Sequence, residues 1–155
     1  KEIAEQMNTF YGDKNPLIIS VLDGAFMFTA DLIRQLDFPH ELVFVKLESY
    51  VGTKSKGKVK TILPLYKSVE HRHVLIIEDI VDTGNTLDQF TSRLYKDKPK
   101  DISICSLLLK PEALQYELPT RFTGVKVPND FIIGYGMDID GKGRQLSDIY
   151  VLQED

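Results

Sequence analysis

Residues 74–87 read VLIIEDIVDTGNTL, and the fold is decided there. Val74, Leu75, Ile76 and Ile77 form an unbroken aliphatic run with no polar alternation, the pattern of a strand buried on both faces of a parallel sheet. The run ends in two adjacent carboxylates, Glu78 and Asp79, and a third, Asp82, opens the turn Thr83-Gly84-Asn85-Thr86. Leu87, Phe90 and Leu94 then recur at helical spacing, with Asp82, Thr83 and Thr86 placed to supply capping oxygens. Strand, acidic turn and helix together are the repeating unit of α/β folds.

That unit also has a chemical reading. A helix start presents unpaired N–H groups and the positive end of its dipole, and Gly84 allows close backbone approach, so the turn can cradle a phosphate without a lysine. Glu78 and Asp79 would repel a bare anion, so the ligand must also carry hydroxyls or bring Mg²⁺. A phosphorylated ribose meets both demands. The competing reading takes the acids as helix caps on a solvated turn, which suits one such residue better than three in five positions.

Outward from this stretch, residues 17–22 (LIISVL) form a second buried strand, followed by Asp23, Gly24 and a helix whose apolar face is Phe26, Ala30, Ile33 and Leu36. In a doubly wound sheet ligands collect beyond the carboxyl ends of the strands, which would bring Asp23 and Gly24 beside Glu78 and Asp79. A plain Asp-Gly turn is the alternative. Ahead of this unit, Ile3, Met7 and Phe10 mark a helix over residues 1–11. Residues 41–47 alternate as a strand with one wetter face, then give way to a polar loop, 48–60, that starts with Ser49 and Tyr50 and carries Lys54, Lys56, Lys58 and Lys60. It reads either as a lid over a polyphosphate or as a solvated hairpin.

Residues 101–109 (DISICSLLL) form a third buried strand ending at Lys110, on the ligand side of the sheet. Lys110 can donate to a carbonyl on a planar base or extend to solvent. Residues 112–129 read as an edge or connecting segment. Phe131 can stack on a flat heterocycle or belong to the core, and Arg144 can make a forked contact to phosphate oxygens. Residues 147–152 are expected to close the sheet.

The 155 residues suit one domain, 1–155, and show no linker, repeat, signal peptide or membrane-length apolar run, so the expected location is the cytoplasm. Lys1 is not an initiator methionine, and a leading segment is expected before it. The net charge of −4 disfavours a nucleic-acid surface. Cys105, the only cysteine, lies within an apolar run and is expected to be buried and inert. His40, His71 and His73 have no zinc-site spacing and read as surface residues. Gly134/Gly136 and Gly141/Gly143 lack the strand, third glycine and helix of a dinucleotide loop.

The stretch 74–87 resembles the signature of the type I phosphoribosyltransferases, whose donor is 5-phosphoribosyl 1-diphosphate. Over residues 17–152 the chain is similar to the hypoxanthine and hypoxanthine-guanine phosphoribosyltransferase family. The similarity rests on VLDGAFMFTADLI at 21–33, Ser49-Tyr50, SLLLKPE at 106–112, and FIIGYGMD at 131–138 with Arg144 beyond. The resemblance implies a doubly wound, mostly parallel α/β sheet flanked by helices, with a small hood and a mobile lid. It implies purine salvage: transfer of the phosphoribosyl group to a purine base, giving a nucleoside monophosphate and pyrophosphate. It makes Asp82 the base at purine N7, gives the 5′-phosphate to Thr83, Gly84, Asn85 and Thr86, and gives the ribose hydroxyls and Mg²⁺ to Glu78 and Asp79. Lys110, Phe131, Ile132 and Asp138 would hold the purine, with Asp138 near a second Mg²⁺. Asp23, Gly24 and Arg144 would hold pyrophosphate.

A homodimer or homotetramer is likewise implied. Two departures stand out: Asp23 occupies a position where many members carry lysine, and IDGKG at 139–143 lacks the aromatics common there. A non-catalytic, RNA-binding regulator of the same fold, or a transferase for xanthine or a pyrimidine, is the alternative.

Overall fold

The structure is a computed structural model that describes residues 1–49 and 59–152. Strands β1 (Leu17–Leu22), β2 (Glu41–Ser49), β3 (Val59–Leu63), β4 (His73–Val81), β5 (Asp101–Leu109) and β6 (Thr120–Lys126) form one sheet in the order β3-β2-β1-β4-β5-β6. All neighbours run parallel except β3, which returns antiparallel on β2 at the edge. Helices α1 (Glu2–Tyr11), α2 (Phe26–Ile33) and α3 (Asn85–Leu94) cover the two faces.

The period-two geometry of the strands sorts their side chains between the layers. Leu17, Ile19, Val21, Val74, Ile76, Ile102 and Ile104 pack against Leu87, Phe90 and Leu94 of α3. Ile18, Leu75, Ile77 and Cys105 face the other way, onto Met7 and Tyr11 of α1 and Phe28 and Leu32 of α2. The aliphatic run of residues 74–77 thus supplies both cores at once, which is why it shows no polar alternation. The chain winds from β1 outward through β2 and β3, then crosses back to β4. The direction reverses between β1 and β4, and a cleft opens at such a point beyond the strand ends.

Several expectations are corrected here. Residues 147–152 do not close the main sheet. β7 (Ile132–Ile133) and β8 (Tyr150–Val151) pair antiparallel as a separate two-stranded hood. The hood rests on the core through Leu108, Ile132 and Met137, with the Leu152 N–H donating to the Phe131 carbonyl at 2.9 Å.

On α2 the buried face is Phe28, Thr29 and Leu32, whereas Phe26 and Ala30 are exposed. FMFTADLI is apolar nearly all round, so periodicity could not choose a face. A buried hydroxyl pair, Ser20 Oγ to Thr29 Oγ1 at 2.8 Å, accompanies the actual one. The polar loop is shorter than residues 48–60, because Glu48 and Ser49 extend β2 while Val59 and Lys60 begin β3. His73 is not a surface residue: its ring is largely covered and lies 2.5 Å from Asp101 Oδ2.

Candidate active site

The cleft has a volume of about 540 Å³ and is walled by the ends of β1, β4 and β5, the start of α3 and the hood. Asp23, Gly24, Glu78, Asp79, Asp82, Thr83, Gly84, Asn85, Thr86, Lys110, Phe131, Ile132, Asp138 and Arg144 all line it. These residues come from five separate stretches of the chain. Of the expected lid, Ser49 is the last residue of β2, and Tyr50 lies outside the described residues.

The phosphate-type turn follows from Gly84. Its φ of 83° is left-handed, and a Cβ there would lie 3.0 Å from Leu114 and 3.1 Å from Leu118, so only glycine fits without displacement. Gly84 itself is the N-cap of α3, so the cap residue offers the helix no side chain of its own. The expectation of Asp82 or Thr86 at the cap position is therefore corrected, while Thr83 Oγ1 accepts the Asn85 N–H at 3.4 Å. A second layer holds the turn from behind: the Gln115 N–H donates to the Thr83 carbonyl at 2.9 Å and the Tyr116 hydroxyl to Asn85 Oδ1 at 3.1 Å. Sequence reasoning missed this buttress, because nothing in a turn-rich segment marks which helix start it will support.

Glu78 is 9% exposed, and its carboxyl is pushed well above the usual carboxylate range by burial and by the neighbouring Asp79. Asp79 lies against the β1 turn so closely that a Cβ on Gly24 would fall 1.9 Å from its Oδ2. Two carboxylates side by side, one of them buried, form a hard oxygen donor set. That suits a divalent ion that also takes oxygens from its ligand, as Mg²⁺ does. Among the described residues no three His, Cys, Asp or Glu side chains converge on one metal position, so Glu78, Asp79 and Asp138 do not form a single cage.

Lys110 is 8% exposed, and its ammonium lies 3.3 Å from Asp82 Oδ2. Burial of the lysine is tolerated because its charge is paired. Asp82 stays open to the cleft. Phe131, 54% exposed, leaves much of its ring uncovered beside the cleft, as expected of a stacking surface and not of a core residue.

At the other end, Arg144 donates to the Gly136 carbonyl at 2.8 Å and lies 2.8 Å from Asp138 Oδ1 and 3.8 Å from Asp23 Oδ2. The second Asp138 oxygen accepts the Gly141 N–H at 2.7 Å. Gly136, at φ 100°, approaches the β1 turn so closely that a Cβ there would fall 2.2 Å from the Gly24 carbonyl oxygen. The hood and that turn thus meet backbone to backbone. The Leu22-Asp23 peptide is cis. Asp23 also pairs with Lys46 at 2.6 Å, a residue that sequence reasoning did not single out.

An open α/β sheet with an acidic strand end and a glycine-opened helix start beyond its carboxyl edge makes a site suited to a ligand that carries both a phosphate and hydroxyls. The phosphoribosyl transferase domain family matches residues 1–140. A hypoxanthine-guanine-xanthine phosphoribosyltransferase from Tritrichomonas foetus is 41% identical, over 99% of this chain and 85% of that protein. A hypoxanthine phosphoribosyltransferase from Haemophilus influenzae is 36% identical, over 99% of this chain and 89% of the relative. Among solved structures, a hypoxanthine phosphoribosyltransferase from Staphylococcus aureus superposes with a TM-score of 0.91 at 37% identity, covering 99% of this chain and 84% of that one. The chain belongs to the phosphoribosyltransferase family, and within it to the hypoxanthine and hypoxanthine-guanine phosphoribosyltransferases.

Proposed function

We propose that the chain acts in purine salvage, transferring the 5-phosphoribosyl group of phosphoribosyl diphosphate to N9 of hypoxanthine, with guanine as a further acceptor. The products are IMP or GMP and pyrophosphate. One observation carries the acceptor: Asp82, open to the cleft, is held against buried Lys110 at 3.3 Å while Phe131 offers an uncovered ring.

In this reading the glycosidic C1–O bond to pyrophosphate breaks as N9 bonds to C1, and positive charge develops on the ribose ring. Asp82 takes or shares the purine N7 proton, which keeps the base nucleophilic. Lys110 donates to the 6-oxo group, and Phe131 stacks on the ring over Ile132. The α3 start and the Thr83–Thr86 turn bind the 5′-phosphate through backbone N–H groups. Glu78 and Asp79 accept from the ribose hydroxyls and are the proposed Mg²⁺ ligands; when bound, the ion neutralises charge on the departing pyrophosphate. Asp138 lies at the base edge, and it would meet a second Mg²⁺ only by sharing oxygens already held by Arg144 and the Gly141 amide.

The homodimer or homotetramer belongs to the same proposal, supported by Phe26, Phe44, Ile62 and Leu63, which leave large apolar side chains exposed. So does a cytoplasmic location; among the described residues no helix is long and apolar enough to cross a membrane. A spectrophotometric assay with phosphoribosyl diphosphate, Mg²⁺ and each base in turn tests the reading. Nucleotide formation from hypoxanthine is expected. Turnover confined to xanthine or to a pyrimidine would reassign the acceptor, and salt-sensitive RNA binding without turnover would favour the regulator.

A further inference from the structure

We propose that Lys46 supplies the cationic contact for the pyrophosphate end of the donor, and that Asp23 fills this position as an internal counter-ion until the ligand arrives. The inference rests on the donor being a diphosphate, as proposed above.

Lys46 lies near the carboxyl end of β2, in register with Leu22 of β1, so the parallel pairing brings it alongside the residue that follows Leu22. Its ammonium is 2.6 Å from Asp23 Oδ2, and that same oxygen is 3.8 Å from the Arg144 guanidinium. A single anionic oxygen thus sits between two cations delivered by β2 and by the hood. This is the environment a phosphate oxygen would choose, and the chain's own carboxylate occupies it.

The charges around it cancel. Lys46 and Arg144 face Asp23 and Asp138, so the group as it stands offers an incoming anion no net attraction. Attraction appears only when Asp23 turns away. Its side chain is 42% exposed and that of Lys46 32%, so their pairing is screened by water and readily exchanged. A pyrophosphate, with several charges, competes well against one carboxylate for both cations.

A purely structural role for the pair is poorly motivated, because β1 and β2 are already matched over six residue pairs from Leu17↔Glu41 to Leu22↔Lys46. The arrangement also accounts for an aspartate in a turn that handles an anion. The positive charge lies on the neighbouring strand, and the aspartate pairs with it.

The test is pyrophosphate binding by titration calorimetry, with and without Mg²⁺, alongside steady-state kinetics, on wild type, Lys46→Met, Lys46→Arg, Asp23→Asn and the Lys46→Met/Asp23→Asn pair. Lys46→Met should weaken pyrophosphate by about tenfold and raise the KM for phosphoribosyl diphosphate in step, with the KM for hypoxanthine held within about twofold. Lys46→Arg should retain most of the affinity. Asp23→Asn should tighten pyrophosphate by roughly three- to tenfold, a gain lost in the double variant. Pyrophosphate affinity within about twofold of wild type in Lys46→Met, or weakened in Asp23→Asn, would overturn the assignment while leaving the transferase reading intact. A wild-type protein that neither transfers phosphoribosyl groups nor binds pyrophosphate would overturn both.

Discussion

Gly24→Ala is the sharpest probe of how the cleft is assembled. Gly24 is not among the positive-φ residues, so alanine meets no backbone penalty and the effect of the new methyl is purely local. The added Cβ would lie 1.9 Å from Asp79 Oδ2, 2.6 Å from its Cγ and 3.2 Å from Oδ1. Restoring van der Waals separation requires the Asp79 carboxylate, or the β1 turn, to shift by about 1.5 Å. Overpacking of this kind costs about 1–3 kcal/mol, so a modest fall in Tm should accompany the change. The functional cost is larger. A displacement of about 1 Å in a positioning group can lower rate by about a hundredfold, and kcat/KM for phosphoribosyl diphosphate should fall by that order. The KM for hypoxanthine, whose proposed contacts are Lys110 and Phe131, should change by less than about twofold. Steady-state kinetics with each substrate varied in turn, beside a thermal melt, decide the matter. If kcat/KM for the donor stayed within threefold of wild type, roughly, the placement of Asp79 against this turn would play no part in donor binding.

Asp82→Asn keeps an acceptor for Lys110 but cannot take a proton; turnover on hypoxanthine should drop by about 10²–10⁴ with far smaller changes in either KM, and unchanged turnover would remove Asp82 from the role of base. Lys110→Ala should raise the purine KM by about ten- to a hundredfold, and a purine KM equal to wild type would end the assignment to the 6-oxo group. Glu78 gives a pH signature. Burial and Asp79 raise its carboxyl above the ordinary value of 4.5, so the folded chain keeps a proton that the unfolded chain has released. The stability linked to that proton is complete below the unfolded value and is lost as pH rises through the folded one. Glu78→Gln should therefore gain in Tm relative to wild type as pH rises above the ordinary carboxylate value in metal-free buffer. Parallel Tm profiles for the two proteins would show that Glu78 is not so perturbed.

How much of this was legible in the sequence differs from one residue to the next, for physical reasons. The aliphatic run at residues 74–77 announces a strand buried on both faces, because it is short, rich in β-branched Val74, Ile76 and Ile77, and soon closed by a turn. The following acids and glycine announce a ligand turn, because Gly84 has to be glycine where Leu114 and Leu118 close in. By contrast, α2 is apolar on every side, so its buried stripe is chosen by tertiary contacts such as Ser20 to Thr29. The hood strands are two residues each, too short for any periodicity to register. Lys46 looked like the polar position of an alternating strand. Only the pairing of β1 with β2 brings it to Asp23, 23 residues away. The acidic turn and the lysine after β5 could be read because one strand end carries each. The placement of Asp23 and Gly24 beside Glu78 and Asp79 followed from the sheet type, but individual side-chain pairs such as Lys46 with Asp23 did not.

The assembled cleft also explains how an acidic chain can hold a strongly anionic donor. Its cations are stored as neutral pairs, Lys110 with Asp82 and Lys46 with Asp23, so no buried ammonium is left uncompensated while the cleft is empty. The pairs differ in exposure, and the proposed chemistry uses that difference. Lys46 is half in water and can exchange its partner for pyrophosphate on binding. Lys110 is buried and keeps Asp82 until the reaction itself intervenes. In the proposed mechanism Asp82 loses its charge on taking the N7 proton, and the Lys110 ammonium is then compensated by the purine alone. Its attraction to the 6-oxo oxygen strengthens at the stage when the base carries most electron density, so proton transfer and acceptor binding reinforce each other. An isolated carboxylate could remove the proton, but only a paired one hands a buried cation to the base as it does so.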